Sequence, residues 1–258
     1  MTRHLFFAVV VFLLAVSCLG PLNPYDWPPE ETTTSDDTST TVPTTEGGLV
    51  AYWSCDDSSG STLHDSVNGL DFSLSGTSFD EGKIGGAVRF DGKNSYAVLF
   101  QSDAKALQFG TGDFSISLLV QPLFYQDIAD SMRFDIVSKG LIKEKGYTIA
   151  IAAKSFTALV GHSKNDQRDT TFDASRKDWY HIVLVRRNSM VELWVNTKKI
   201  LSYTNDEDIS AADSKLILGN NAEYESNNGF PGSIDEVRMF NRALDSNKIK
   251  ALYSAYFN

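Results

Sequence analysis

The apolar positions of the chain fall into three regimes. Leu5 to Val16 is an unbroken apolar run of twelve residues behind the polar start Arg3-His4. A bilayer takes about 20 residues to span, so this run suits the core of an export signal rather than a membrane helix. Residues 19–48 show little apolar periodicity and hold eight Thr, five of the seven prolines, six acidic residues and no Lys or Arg. Such a segment cannot bury enough surface to offset its ordering entropy, and it predicts a disordered tether over 19–47. After it, short apolar runs recur between Gly, Asn and Asp clusters: Leu49 to Cys55, Asp71 to Ser75, Ala87 to Phe90, Tyr96 to Phe100, Phe114 to Val120 and Phe134 to Ser138. They continue at Tyr147 to Ala152, Phe156 to His162, Trp179 to Val185, Met190 to Val195, Lys199 to Tyr203, Leu216 to Leu218 and Ile234 to Phe240. Short runs broken by turn residues, without crossover helices, predict an all-β sandwich of two antiparallel sheets. Phe114, Ile116, Leu118 and Val120 alternate with Ser115, Ser117 and Leu119, which predicts one buried face. One helix is predicted, Ser246 to Tyr253, with Asp245 or Ser246 as its N-cap and Ile249, Leu252 and Tyr253 on one side.

Charge and cysteine content narrow the class. The 258 residues carry 33 acidic and 23 basic side chains, a net charge of -10. Without the signal and tether the balance is 27 to 22, a net of -5. A nucleic-acid partner needs a net basic stripe, so none is expected. Two cysteines, Cys18 and Cys55, are too few for a disulfide framework. The run Leu14-Ala15-Val16-Ser17-Cys18 resembles a bacterial lipobox, although Leu14 falls one place early and Ala15 stands where Leu is usual. That resemblance implies lipidation at Cys18, export, and anchoring to a bacterial membrane. Leu19 after the cysteine resembles lipoproteins sorted to the outer membrane.

Five blocks carry a second likeness. They are Gly48 to Trp53, the glycine-rich Gly82 to Gly92, Phe114 to Ser117, the pair Trp179 to His181 with Val191 to Asn196, and Gly232 to Leu244. In this order over 48–258 they resemble the laminin-G-like domains of the concanavalin-A-like jelly-roll superfamily in their bacterial form. The resemblance implies a jelly-roll β-sandwich closed by a short helix. It departs at Leu119, where Trp is common, at Asn196, where a turn Asp-Gly is common, and at Cys55, where a bulky apolar residue is usual.

The candidate chemistry is sparse. His181 lies among apolar residues of both parities and reads as a hydrogen-bonded core histidine; Cys55 reads as a small buried hydrophobe. Trp194 shares a strand face with Met190 and Glu192 and reads as packing. Pairing of the first and last strands, implied by the resemblance, would bring Asp56 and Asp235 together as ligands of a structural calcium ion, which takes six to eight oxygens. Glycosidases of this superfamily place two carboxylates on one central strand. Here Glu192 stands alone, and adjacent Asp235 and Glu236 are expected on opposite faces, so the chain is expected not to be an enzyme. The expected function is a surface lipoprotein presenting a non-catalytic binding module for carbohydrate or a surface protein. Tyr125, Arg168 and Tyr224, in loops between strands, are the candidate ligand contacts. The alternative is a structural or adhesion protein that docks another protein, with a polysaccharide-degrading enzyme behind both.

Overall fold

The computed structural model describes residues 47–123, 132–140, 145–152, 155–161, 177–210, 214–221 and 229–258. They form the two antiparallel sheets that the alternation predicted. In the first, Lys198–Thr204 (β13), Met190–Val195 (β12), Tyr180–Arg187 (β11), Phe114–Pro122 (β7), Pro231–Phe240 (β15), Gly86–Asp91 (β5) and Ser78–Glu81 (β4) lie side by side, and Leu49–Trp53 (β1) shares the β5 flank of β15. The second runs Ser155–Val160 (β10), Tyr147–Ala152 (β9), Arg133–Lys139 (β8), Leu216–Leu218 (β14), Tyr96–Leu99 (β6), Phe72–Ser75 (β3) and Thr62–Leu63 (β2).

The core lies between the inner faces of the sheets. Phe114, Ile116, Leu118 and Val120 from β7 and Ile182 and Leu184 from β11 join Ile149, Ile151, Phe156, Leu216 and Phe72 from the facing sheet. Each such side chain contributes roughly 1.5–3 kcal/mol when fully buried. Trp53 ends β1 in this core and ties its indole Nε1–H to the Leu70 carbonyl at 2.7 Å. Cys55 is a free thiol inside the same cluster, as its apolar setting predicted.

The helix is longer than the periodicity suggested. It runs Ser246–Phe257 (α2), and Asp245 caps it by accepting the Asn247 and Lys248 N–H groups at 2.8 and 2.9 Å. Its Ile249, Leu252 and Tyr256 cover Leu119, Val183, Val185 and Phe240 on the outer face of the first sheet. Consequently β7 is buried on both faces: Leu119 packs in the cluster under the helix, Ser117 is buried with it, and Ser115 lies under the segment before the helix, donating to the Arg242 carbonyl and accepting the Leu244 N–H. Four further pieces carried too weak a pattern to be foreseen: the short strands β2 and β4, the turn of helix Gln101–Ala104 (α1) and the 3₁₀ turn Lys105–Leu107.

One local feature overturns a strand-parity argument. Glu236 adopts φ 55°, and the register of β15 shifts between Asp235 and Arg238. This bulge restarts the alternation, so Ile234, Val237 and Met239 face the core while Asp235, Glu236 and Arg238 all avoid it. The adjacent carboxylates therefore do not point to opposite faces. Glu236 accepts the Tyr52 hydroxyl at 2.7 Å and ion-pairs with Arg238 at 2.7 Å; Arg238 stacks on the Tyr52 ring at 3.9 Å and reaches the Tyr256 hydroxyl. His181 sits beside them, bonded to the Ser117 hydroxyl at 2.9 Å and set edge-on to Tyr256. Burial, helped by the nearby Arg238 charge, holds its imidazole neutral with a pKa lowered to about 3.

Candidate functional site

A concavity lined by described residues opens where β4 and β5 meet the start of β15. It measures about 510 Å³ and is lined by Gly76, Ser78, Phe79, Asp80, Arg89, Phe90, Asp91 and Pro231. Register places these residues together: Ser78 pairs with Arg89, Phe79 with Val88, and Pro231 with Asp91. The turn after β5 is drawn tight by Asp91, whose Oδ1 accepts the Lys93 N–H at 2.8 Å, the Ser95 N–H at 3.2 Å and the Ser95 hydroxyl at 2.6 Å. Burial alone would raise the Asp91 carboxyl, but these bonds and the nearby Lys93 charge outweigh it and hold the group below its ordinary value. Gly92 in this turn has φ 78°, and a Cβ there would run into Pro231.

Asp80 and Arg89 supply the groove's charges. Arg89 Nη1 stands 3.6 Å from Asp80 Oδ2, and the two side chains are 26% and 53% exposed respectively. A pair this long and this wet contributes little to stability, about 0–1 kcal/mol. It does present a forked donor beside a carboxylate acceptor, a combination matched to neighbouring hydroxyl groups. Phe79, half-buried against the core, adds an apolar edge.

The expected ligand residues relate to this rim as follows. Tyr125, Arg168 and Tyr224 all lie outside the described residues. The flanking positions are placed: the Leu123 N–H donates to the Pro231 carbonyl at 2.8 Å, and the Gly229 N–H and Asn220 Nδ2 reach the Lys93 carbonyl at 3.2 and 3.4 Å. Tyr125 and Tyr224 belong to 124–131 and 222–228, whose described neighbours are Leu123 and Gly229. Cys18 also lies outside the described residues. Asp80 and Arg89 were not singled out in the sequence, although Arg89 sits inside the glycine-rich block and Asp80 just before it; a charged residue on an edge strand carries no distinguishing signal.

Asp56 and Asp235 do share one loop, residues 82–86, but they meet it as acceptors for backbone N–H groups. Asp56 Oδ1 takes the Gly86 N–H at 2.8 Å, and Asp235 Oδ2 takes those of Lys83 and Ile84 at 2.9 and 3.0 Å. Gly85 has φ 60°, and a Cβ at that position would collide with Asp56 Oδ1. The Asp235 pKa is pushed up to about 8, foremost by burial and further by the Glu236 and Asp56 charges, against the pull of its two N–H bonds. A calcium ion needs six to eight oxygens, and among the described residues no three His, Cys, Asp or Glu side chains gather into a set that could hold a metal.

Comparison with known proteins agrees with the fold. Residues 91–250 match a laminin-G-like family model described as the concanavalin A-like lectin/glucanases superfamily. No curated protein matches the sequence. Among solved structures, a sialidase of Trypanosoma rangeli in complex with 2,3-difluorosialic acid superposes with a TM-score of 0.63 at 18% identity, covering 81% of this chain and 33% of its own. The chain spans about a third of the length of these sialidases. The binding domain of Paraclostridial Mosquitocidal Protein 1 gives 0.63 at 20% identity over 82% of this chain and 53% of that one. Domain 4 of a family 43 extracellular arabinanase from Geobacillus stearothermophilus, in complex with arabinotriose, gives 0.59 at 21% identity over 80% of this chain and 98% of that domain.

The expectation that the chain is not an enzyme is corrected by these likenesses, because the matched superfamily spans glucanases as well as lectins and sialidases stand among the similar structures. The Glu236 bulge also keeps the adjacent Asp235 and Glu236 carboxylates off the core face together, where strict alternation would have separated them. With the family matched over more than half of its length and the two-sheet fold and closing helix in place, the chain belongs to the laminin-G-like family of the concanavalin A-like lectin/glucanases superfamily.

Proposed function

We propose that the domain binds carbohydrate at the Asp80–Arg89 groove and presents it from a lipid-anchored surface protein. The observation that carries this reading is the groove itself, with a wet guanidinium–carboxylate pair, an apolar ring and a rigid turn at the rim beside Leu123 and Gly229. Such a mixture of apolar surface and a few convergent polar groups is what sugar sites use. The arabinotriose complex of a similar domain supports the ligand class. Tyr125, Arg168 and Tyr224 are proposed as further ligand contacts.

The anchor is proposed at Cys18, with residues 19–47 as the tether, on the bacterial surface. On this reading the tether would join the domain at Gly48, far from the groove. The Asn241 N–H donates to the Gly48 carbonyl at 2.9 Å beyond the last residue of β15, whereas Pro231 of the groove is its first. A ten-residue strand at about 3.3 Å per residue separates them by roughly 30 Å.

A glycan array probed with the full chain, read for both retention and turnover, tests the ligand class. Retained saccharides whose binding falls at least tenfold in Arg89→Ala support the groove; retention indifferent to Arg89 moves the site elsewhere. Cys18→Ala is expected to shift the protein from membranes to the soluble fraction, and a variant that stays in the membrane contradicts the anchor.

A further inference from the structure

At the end of the sandwich opposite the groove, β7 begins, β11 ends, and the segments 108–113 and 205–210 come together. Arg186, the next-to-last residue of β11, is 1% exposed at this point. Among the described residues its hydrogen bonds all go to backbone carbonyl oxygens. Nη2 donates to Gly110 O at 2.5 Å and Gly112 O at 2.6 Å, Nε to Gly112 O at 3.0 Å, and Nη1 to Glu207 O at 3.2 Å. The Phe114 ring lies 5.4 Å beneath it. The Asp113 and Asp208 carboxylates are near enough to act on its charge, yet each directs an oxygen to backbone instead: Asp113 to the Asn188 N–H at 2.8 Å and Asp208 to the Ser210 N–H at 2.9 Å.

Three carbonyl oxygens converge on one point, an arrangement of hard-oxygen acceptors that favours a cation at its centre. An unfilled cage would be costly, because inward carbonyls without a donor lose their hydration and gain no partner. Here the centre is filled by the chain's own cation. We propose that Arg186 is the built-in structural cation of this rim, standing where a metal ion would stand and closing segments 108–113 and 205–210 without one. Arginine suits the place because its rigid fork serves several carbonyls at once and its charge does not titrate away. This inference is independent of carbohydrate binding at the groove.

Thermal unfolding of the full chain, with excess calcium and with chelator, tests it alongside terbium luminescence as a direct readout of ion binding. For the natural protein the two melting temperatures are expected to coincide, with no terbium signal sensitised by the aromatic residues around Phe114. Arg186→Ser, which empties the cage, is expected to melt roughly 10 °C lower in chelator and to regain part of that loss in calcium. Arg186→Lys keeps the charge but loses the fork, so it is expected to melt at an intermediate temperature without responding to calcium. A calcium-dependent melting temperature or a saturable terbium signal in the natural protein overturns the proposal, and both remain measurable if neither variant folds. A folded Arg186→Ser that is indifferent to calcium also overturns it.

Discussion

Arg89 and Arg186 sit at opposite ends of the sandwich and show what the same side chain does in water and out of it. Arg89 is 26% exposed and faces one carboxylate at 3.6 Å across an open groove. Arg186 is 1% exposed and makes four bonds of 2.5 to 3.2 Å to carbonyls. At the wet end the guanidinium is screened, adds little to stability and borders the open groove. At the dry end its bonds hold two segments together, and losing them strands three carbonyls. The closed rim is therefore a rigid base, and the open rim is where binding is affordable.

The largest expected effect comes from breaking the closed end. Arg186→Ala is expected to destabilise the domain by about 3–5 kcal/mol in urea unfolding, because it leaves buried acceptors unpartnered. Glycan retention by the surviving folded fraction is expected to stay unchanged; retention that falls in proportion to the Arg89→Ala loss would couple the two ends and break the comparison.

Next in size is Gly85→Ala, expected to cost about 1–2 kcal/mol through its left-handed backbone alone. It also displaces Asp56 from the Gly86 N–H. Stability unchanged by this substitution would show that the loop relaxes freely.

Asp235 gives a pH signature. Its folded pKa, about 8, lies above the unfolded value of about 3.9, so the folded state holds the proton more tightly. The stabilisation from this group is complete below about pH 4 and is lost as pH rises toward 8. Asp235→Asn keeps an acceptor for Lys83 and Ile84 but cannot ionise, so urea midpoints measured from pH 4 to pH 8 are expected to lose most of their downward slope. An unchanged slope would assign it to other groups. The smallest expected effect is Arg89→Ala on stability, below about 1 kcal/mol by the same unfolding measurement, despite its large effect on binding.

Much of the fold was legible because period-two alternation survives wherever one face meets the core, as in Phe114 to Val120 and Met190 to Val195. It was incomplete where a second layer intervenes: Ser117 falls on the face opposite the core in sequence, and its burial comes from the long-range docking of α2, whereas His181 is the hydrogen-bonded core histidine its apolar neighbours predicted. The Glu236 bulge was illegible because no glycine marks its positive φ. The site was harder still. Asp80 and Arg89 gain meaning only when register sets them across β4 and β5 beside Pro231, more than 140 residues away in the chain. Arg186 carried no signal in the sequence, since carbonyl oxygens, its partners, leave no trace in side-chain pattern.

The most direct test of the central claim is an amide NMR titration of the full chain with a saccharide retained on the array. Shifts are predicted to be largest at Ser78, Asp80, Arg89 and Asp91, to be absent around Gly110 and Gly112, and to vanish in Arg89→Ala. Saturable shifts that leave the residues of β4 and β5 unmoved would contradict the assignment of the groove.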